Sequence, residues 1–198
     1  MKTQSQKLLL ILAFSMAIMV TISNFLVQFP VNHFGLEELL TYGAFTYPVT
    51  FMITDLANRR YGKFIARKVV YIGFLLGIFL TLYFSTNFSE IISIRIAIGS
   101  GTAFLIAQLI DVQVFDKLRK KTWFIAPLTS SGIGSLIDTF LFFSIAFYNS
   151  GISWVSLALG DLTIKLLMSL LMLIPFRLII NEIRDIGEEK SDQELYKF

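Results

Sequence analysis

Six ionisable residues stand inside stretches that are otherwise apolar: Asp55, Arg95, Asp111, Asp138, Asp161 and Lys165. Asp138 is the plainest case, near the front of "SLIDTFLFFSIAF". In hydrocarbon such a charge costs on the order of 3 kcal/mol or more, so it usually faces a bundle interior or a wet cavity and marks a pathway or binding site. The alternative is that the charges only pair with one another or reach the membrane interface. Asp161 and Lys165 lie four apart, a spacing that allows an ion pair on one helix face and equally allows both to line a cavity. Arg95 lies close to the outer end of its run with Glu90 nearby, so Arg95 and Asp161 read as structural or gating charges.

Asp138 shares its helix face with other polar residues. Ser131, Ser135 and Asp138 recur at i, i+4 and i+7, and Gly132 and Gly134 allow another backbone to approach. Gly101, Gln108 and Asp111 make a comparable stripe earlier in the chain. At about 1.5 Å per residue, Gln108, Asp138, Asp161 and Lys165 fall toward the middle of a bilayer, with Asp55 and Asp111 nearer one face. A carboxylate accepts two hydrogen bonds side by side, which suits a guanine-like edge presenting N–H beside NH2, and a glutamine amide both donates and accepts. Twenty phenylalanines and seven tyrosines offer flat surfaces for stacking. A cation, an amino acid or a proton path fits nearly as well, so these residues permit a nucleobase without selecting one.

The elements that position these groups follow from hydropathy. The chain has 198 residues, 55% hydrophobic and 16% charged, with a mean hydropathy of +0.70; soluble domains are nearer a quarter charged. Long apolar runs between short charged clusters predict an all-α polytopic membrane protein with six transmembrane helices, at about 8–29, 39–56, 66–86, 93–115, 123–147 and 152–176. Residues 1–180 read as one six-helix transporter-like domain and 181–198 as a polar cytoplasmic tail. Lys2 and Lys7 precede an apolar run in the manner of a signal peptide, but no small-residue cleavage pattern follows, so the first span is expected to be retained.

Basic residues set the orientation. Lys2 and Lys7, then Arg59 to Lys68, then Lys117 to Lys121, then Arg177 and the tail fall on one side, whereas "VNHFGLEE", "NFSE" and "YNSG" hold no lysine or arginine. Both termini are therefore expected in the cytoplasm, and a pI of about 9.1 reflects topology rather than direct nucleic-acid binding. The absence of cysteine excludes disulfides and thiolate metal sites, and no cofactor is expected. There is no H-E-x-x-H, and the single histidine, His33, falls in an outer loop, which speaks against an intramembrane enzyme. No Walker-type phosphate loop is present, so the chain is not expected to hydrolyse ATP itself. The middle spans of the two halves, "YPVTFMITDL" and "APLTSSGIGSLID", each begin with a proline and carry an aspartate further on, a pointer to two inverted three-helix repeats.

Four segments carry a resemblance: "TDLANRRYGKFIARKVV", "RIAIGSGTAFLIAQLIDVQVFDKLR", "WFIAPLTSSGIGSLIDTFLFFSIAF" and "LGDLTIKLLMSLLMLIP". Over about residues 47–176 the chain resembles the queuosine precursor transporter family, within the vitamin uptake transporter group. That resemblance implies a bacterial inner-membrane importer of 7-deazaguanine compounds, such as 7-cyano-7-deazaguanine, salvaged for queuosine in tRNA. The partners implied are the small-molecule base and the lipid bilayer, and a homodimer is compatible. The positions matching the family's polar motifs are Asp55, Asn58, Arg95, Gln108, Asp111, Asp138 and Lys165; with Ser135, all but Arg95 form the expected substrate-binding set. Two positions depart from the wider family. Arg59 follows Asn58 where many members have an acidic residue, and Leu173 and Ile174 precede the last proline where many have an aspartate, so the preferred precursor stays open.

Two other classes of function remain: a substrate-binding subunit working with a separate ATP-driven module, and a structural or channel-like membrane protein whose charges only hold helices together. Energy coupling is equally open between a facilitator, with the substrate trapped by cytosolic enzymes, and a proton symporter in which a buried aspartate carries the proton.

Overall fold

The computed structural model describes residues 2–26, 29–32, 40–84, 91–149, 151 and 154–180. These form six helices: α1 (Lys2–Leu26), α2 (Gly43–Tyr61), α3 (Lys63–Phe84), α4 (Ile91–Leu118), α5 (Ile125–Phe147) and α6 (Trp154–Ile180). His33, Glu90 and the tail from 181 lie outside the described residues. The helices match the expected runs in number and order, but several extend past them into charged sequence. A run of apolar residues ends where the hydrocarbon ends. The hydrogen-bonded helix continues through the interface.

Among the described residues, four stretches are long and apolar enough to cross a membrane: Leu9–Leu26, Ile98–Leu118, Ile125–Phe147 and Trp154–Ile180. Apolar residues such as Phe14, Leu75, Phe79, Leu136, Leu166, Leu170 and Ile174 are exposed on the outside, while Thr50, Thr54, Asp55, Asn58, Gln108, Asp111 and Asp138 are buried. A bundle with its oily side chains outward and its polar ones inward is arranged for lipid rather than water.

The least hydrophobic helix is α2, and it packs against each of the other five. Being covered by protein, α2 does not need an apolar surface all round, and its Thr50, Thr54, Asp55 and Asn58 can face partners on neighbouring helices. Close approach is set by glycine. A Cβ at Gly134 of α5 would stand 2.5 Å from the Phe51 ring of α2, and one at Gly73 of α3 would stand 2.3 Å from Met16 of α1. Gly73 and Gly77 form a small-residue crossing in "GFLLG" against Met16 and Val20. Gly132 and Gly101, by contrast, have room: a Cβ there would make only ordinary contact with Leu166 and Phe74 respectively.

The α2–α3 and α4–α5 connections share one end of the bundle with Arg59, Arg60, Lys63, Arg67, Lys117 and Arg119. The opposite end collects the α1 and α5 C-termini and the α2 and α6 N-termini. There Pro30 and Thr41 make a short antiparallel bridge, and Val31 and Leu40 pack with Ala44 and Ile164. Packing is only partly mirrored between the halves. The α1–α2 and α2–α3 contacts of the first have counterparts in α4–α5 and α5–α6 of the second, but α1 also lies along α3, and α4 with α6 is not among the closely packed pairs of described residues.

Candidate functional site

Lys165 of α6 stands at the centre of a buried ionic cluster. Its Nζ donates to Asp138 Oδ2 of α5 at 2.8 Å and lies 2.6 Å from Asp161 Oδ2, one turn back on its own helix. Thr139 joins both: its hydroxyl donates to Asp161 Oδ2 at 2.8 Å and accepts from Lys165 at 3.3 Å. The ammonium also lies 5.0 Å from the centroid of the Tyr47 ring of α2, within cation–π range. The i, i+4 spacing thus makes the ion pair it allows while both residues also line a cavity, and α5 adds a second carboxylate from across the bundle. One lysine between two carboxylates leaves an excess negative charge. One acceptor is also poorly satisfied: Asp138 Oδ1 is buried and has no hydrogen bond of normal geometry, with the Tyr47 hydroxyl beside the carboxyl.

This cluster forms the floor of a cavity of about 130 Å³ that reaches toward the end poor in basic residues. Asp138, Asp161, Lys165 and Tyr47 line it, and Phe142 and Phe143 supply flat walls. By volume it holds several waters or one small heterocycle. The floor is narrowed by packing rather than left to loops. Tyr47 meets Phe104 edge-on at 5.8 Å between ring centroids, and Phe104 stacks on Phe74.

Gln108 is brought to the same depth but not to the cavity. Its Nε2 donates to Thr50 Oγ1 at 2.9 Å and its Oε1 accepts from Thr54 at 2.6 Å, so both ends of the amide clasp α2 and the side chain is fully buried. Ser135 is buried beside this layer with an unpartnered hydroxyl. Deeper still, Asp55 of α2 and Asp111 of α4 lie carboxyl to carboxyl, with Ser130 and Ser131 of α5 donating to Asp55 at 3.2 and 3.3 Å. Asn58 ties α2 to α4 by donating to the Val112 carbonyl at 2.9 Å. Asp55, Asn58, Gln108 and Asp111 therefore do not line the outer cavity, where Asp138 and Lys165 do. The expected substrate-binding set is split into two layers because α2 and α5 carry polar residues along their whole shared face.

The basic end is closed. Arg119 donates to the carbonyls of Asn58 and Arg59, the latter at 3.1 Å, while Arg59 returns a bond to the Arg119 carbonyl at 2.9 Å. Lys63 and Arg119 share Asp116, and Arg67 donates to Gln113. Beneath them Leu56, Phe115, Ala126 and Phe176 form an apolar plug. At the other end Arg95 donates to the carbonyls of Ile145 and Tyr148, at 3.0 and 2.7 Å from Nη2. It satisfies the last carbonyls of α5, a structural position for a cation at a helix C-terminus.

Tyr47, Thr139, Thr50, Thr54 and Ser130 were not among the expected site residues. Threonine and tyrosine are ordinary within apolar helices, so type alone does not mark them. The signal is spacing: Thr46, Thr50 and Thr54 recur every fourth residue, with Tyr47 and Asp55 on adjoining positions.

Residues 41–180 match a family model described as "putative vitamin uptake transporter". The chain is 32% identical over 203 aligned positions to a "probable queuosine precursor transporter" of Haemophilus influenzae, covering 87% of this chain and 86% of that protein. It is 32% identical to the "queuosine precursor transporter" of Escherichia coli K12, covering 88% and 86%. A Bacillus subtilis protein described as "probable queuosine precursor transporter" is 30% identical over 76% of this chain. No solved structure matches significantly.

Proposed function

We propose, from the fact that this chain belongs to the putative vitamin uptake transporter family, that it carries a queuosine precursor into the cell, a 7-deazaguanine base such as 7-cyano-7-deazaguanine. The observation that carries the reading is Asp138. One of its oxygens is held by Lys165, the other lacks a hydrogen bond of normal geometry although the Tyr47 hydroxyl lies beside the carboxyl, and the residue lines a cavity of small-heterocycle size. The N–H and NH2 of a guanine-like edge supply the missing donors, and Tyr47, Phe142 and Phe143 offer faces for the ring.

In this reading Asp138 and Lys165 contact the base, with Asp161 setting the charge of the floor. All six helices cross the bacterial inner membrane, α2 and α3 included, with both termini in the cytoplasm. The gathering of basic residues at one end of the bundle supports that orientation. The cavity then faces outward, and the Arg59–Arg119 exchange and the plug beneath it form the closed inner gate. Transport proceeds by opening that gate as the outer end closes over the base. Uptake of labelled 7-deazaguanine bases by cells unable to make queuosine tests the reading. Cells expressing the protein are expected to accumulate label and restore queuosine in tRNA, whereas equal uptake with and without it would refute the function.

A further inference from the structure

Asp55 and Asp111 are 1% and 0% exposed and lie against each other, yet they belong to neither wall of the outer cavity. Their surroundings are short of hydrogen. Four carboxyl oxygens and the Pro127 carbonyl gather around two hydroxyls: Ser130 Oγ lies 3.2 Å from Asp55 Oδ1 and 3.3 Å from the Pro127 carbonyl, and Ser131 Oγ lies 3.3 Å from Asp55 Oδ2. Both oxygens of Asp111 lack a hydrogen bond of normal geometry.

The cations on the surrounding helices are engaged elsewhere. Arg59 and Arg119 hold carbonyls at the ends of α2 and α4, Lys63 and Arg119 hold Asp116, Arg67 holds Gln113, and Lys165 holds Asp138 and Asp161. Two adjoining carboxyl groups in such a place cannot both stay ionised without a cation, and a shared proton is the smallest that serves.

Two further features connect the pair to its surroundings. A void of about 10 Å³, room for one water, is lined by Asp55, Ser131 and Ser169. On α5, Ser131, Ser135 and Asp138 fall on one face, so Ser135, whose buried hydroxyl has no partner, stands between the pair and the cavity floor.

We infer that Asp55 and Asp111 form a coupling site that carries one proton between their carboxyl groups, separate from the base-binding floor. The proton enters from the outward-facing cavity along the α5 hydroxyls, and the pair becomes one acid and one carboxylate. When the inner gate opens and water reaches the pair, the same proton leaves to the cytoplasmic side, and the two hydrated carboxylates take up a proton again when the outward-facing state reforms. The inference rests on the transport reading and makes the protein a proton symporter rather than a facilitator.

The test uses purified protein in liposomes with the membrane potential clamped and labelled 7-cyano-7-deazaguanine outside. A gradient of two pH units, alkaline inside, should drive accumulation of up to about a hundredfold per coupled proton. In Asp111→Asn and Asp55→Asn the ratio of uptake with the gradient to uptake without it should fall to about one. Counterflow of labelled against unlabelled base requires no net proton movement and separates the two claims. Counterflow in the wild type without pH-driven accumulation overturns the coupling site alone, as does accumulation driven by sodium instead, or pH-driven accumulation that survives in both asparagine variants. Absence of counterflow in the wild type overturns the transport reading and the coupling site with it.

Discussion

Lys165 holds two carboxylates from two helices, so its removal and the removal of one partner should have unequal consequences for folding. Lys165→Met leaves Asp138 and Asp161 adjoining, buried and uncompensated, and losing one partner of a buried ionic group typically costs about 3–5 kcal/mol. Asp161→Asn leaves one lysine on one aspartate, a neutral pair. Thermal unfolding of the purified variants in detergent should therefore show Lys165→Met clearly destabilised and Asp161→Asn close to wild type; equal loss in both would mean that the cluster is not the balanced unit described. The cluster's members were legible as charges in apolar runs. The partners of Asn58, Gln108 and Arg95 were not, because they include backbone carbonyls and hydroxyls on other helices, and no sequence spacing reveals a partner some fifty residues away.

Helices were located by hydropathy, but which helix sits at the centre was not. The α2 sequence is the least hydrophobic of the six helices, in keeping with its being covered by its neighbours. Gly134 could be read as a point of close approach, and the structure supplies the partner, the ring of Phe51. Gly132 next to it carried the same signal without the same contact. Gly134→Val should thus push α5 off α2, with an overpacking cost of about 1–3 kcal/mol, while Gly132→Ala should be tolerated. Abundance of folded protein by size-exclusion chromatography of tagged variants measures both. A normal profile for Gly134→Val would show that the α2–α5 contact is looser than drawn. The inverted repeat expected from two prolines and two aspartates is not confirmed by the packing: α1–α2 and α2–α3 have counterparts in α4–α5 and α5–α6, but α1–α3 has no close counterpart among the described residues.

For the molecule as a whole, orientation and access are one question, because the cavity reaches the end poor in basic residues and the basic end is closed. A reporter active only in the cytoplasm should work when fused after Phe198 and fail when inserted at Asn149; the reverse would turn the cavity to face the cytoplasm and make the protein's resting state inward-open. The most direct test of the central claim is equilibrium binding of labelled 7-cyano-7-deazaguanine to purified wild-type and Asp138→Asn protein. Asparagine keeps the shape but offers an NH2 in place of one acceptor oxygen, and such a buried mismatch costs on the order of 1–3 kcal/mol. The expected result is a roughly tenfold to hundredfold weaker Kd in a variant that folds normally. Wild-type affinity in correctly folded Asp138→Asn protein would contradict the account, because the base would then be read by something other than the Asp138 carboxylate.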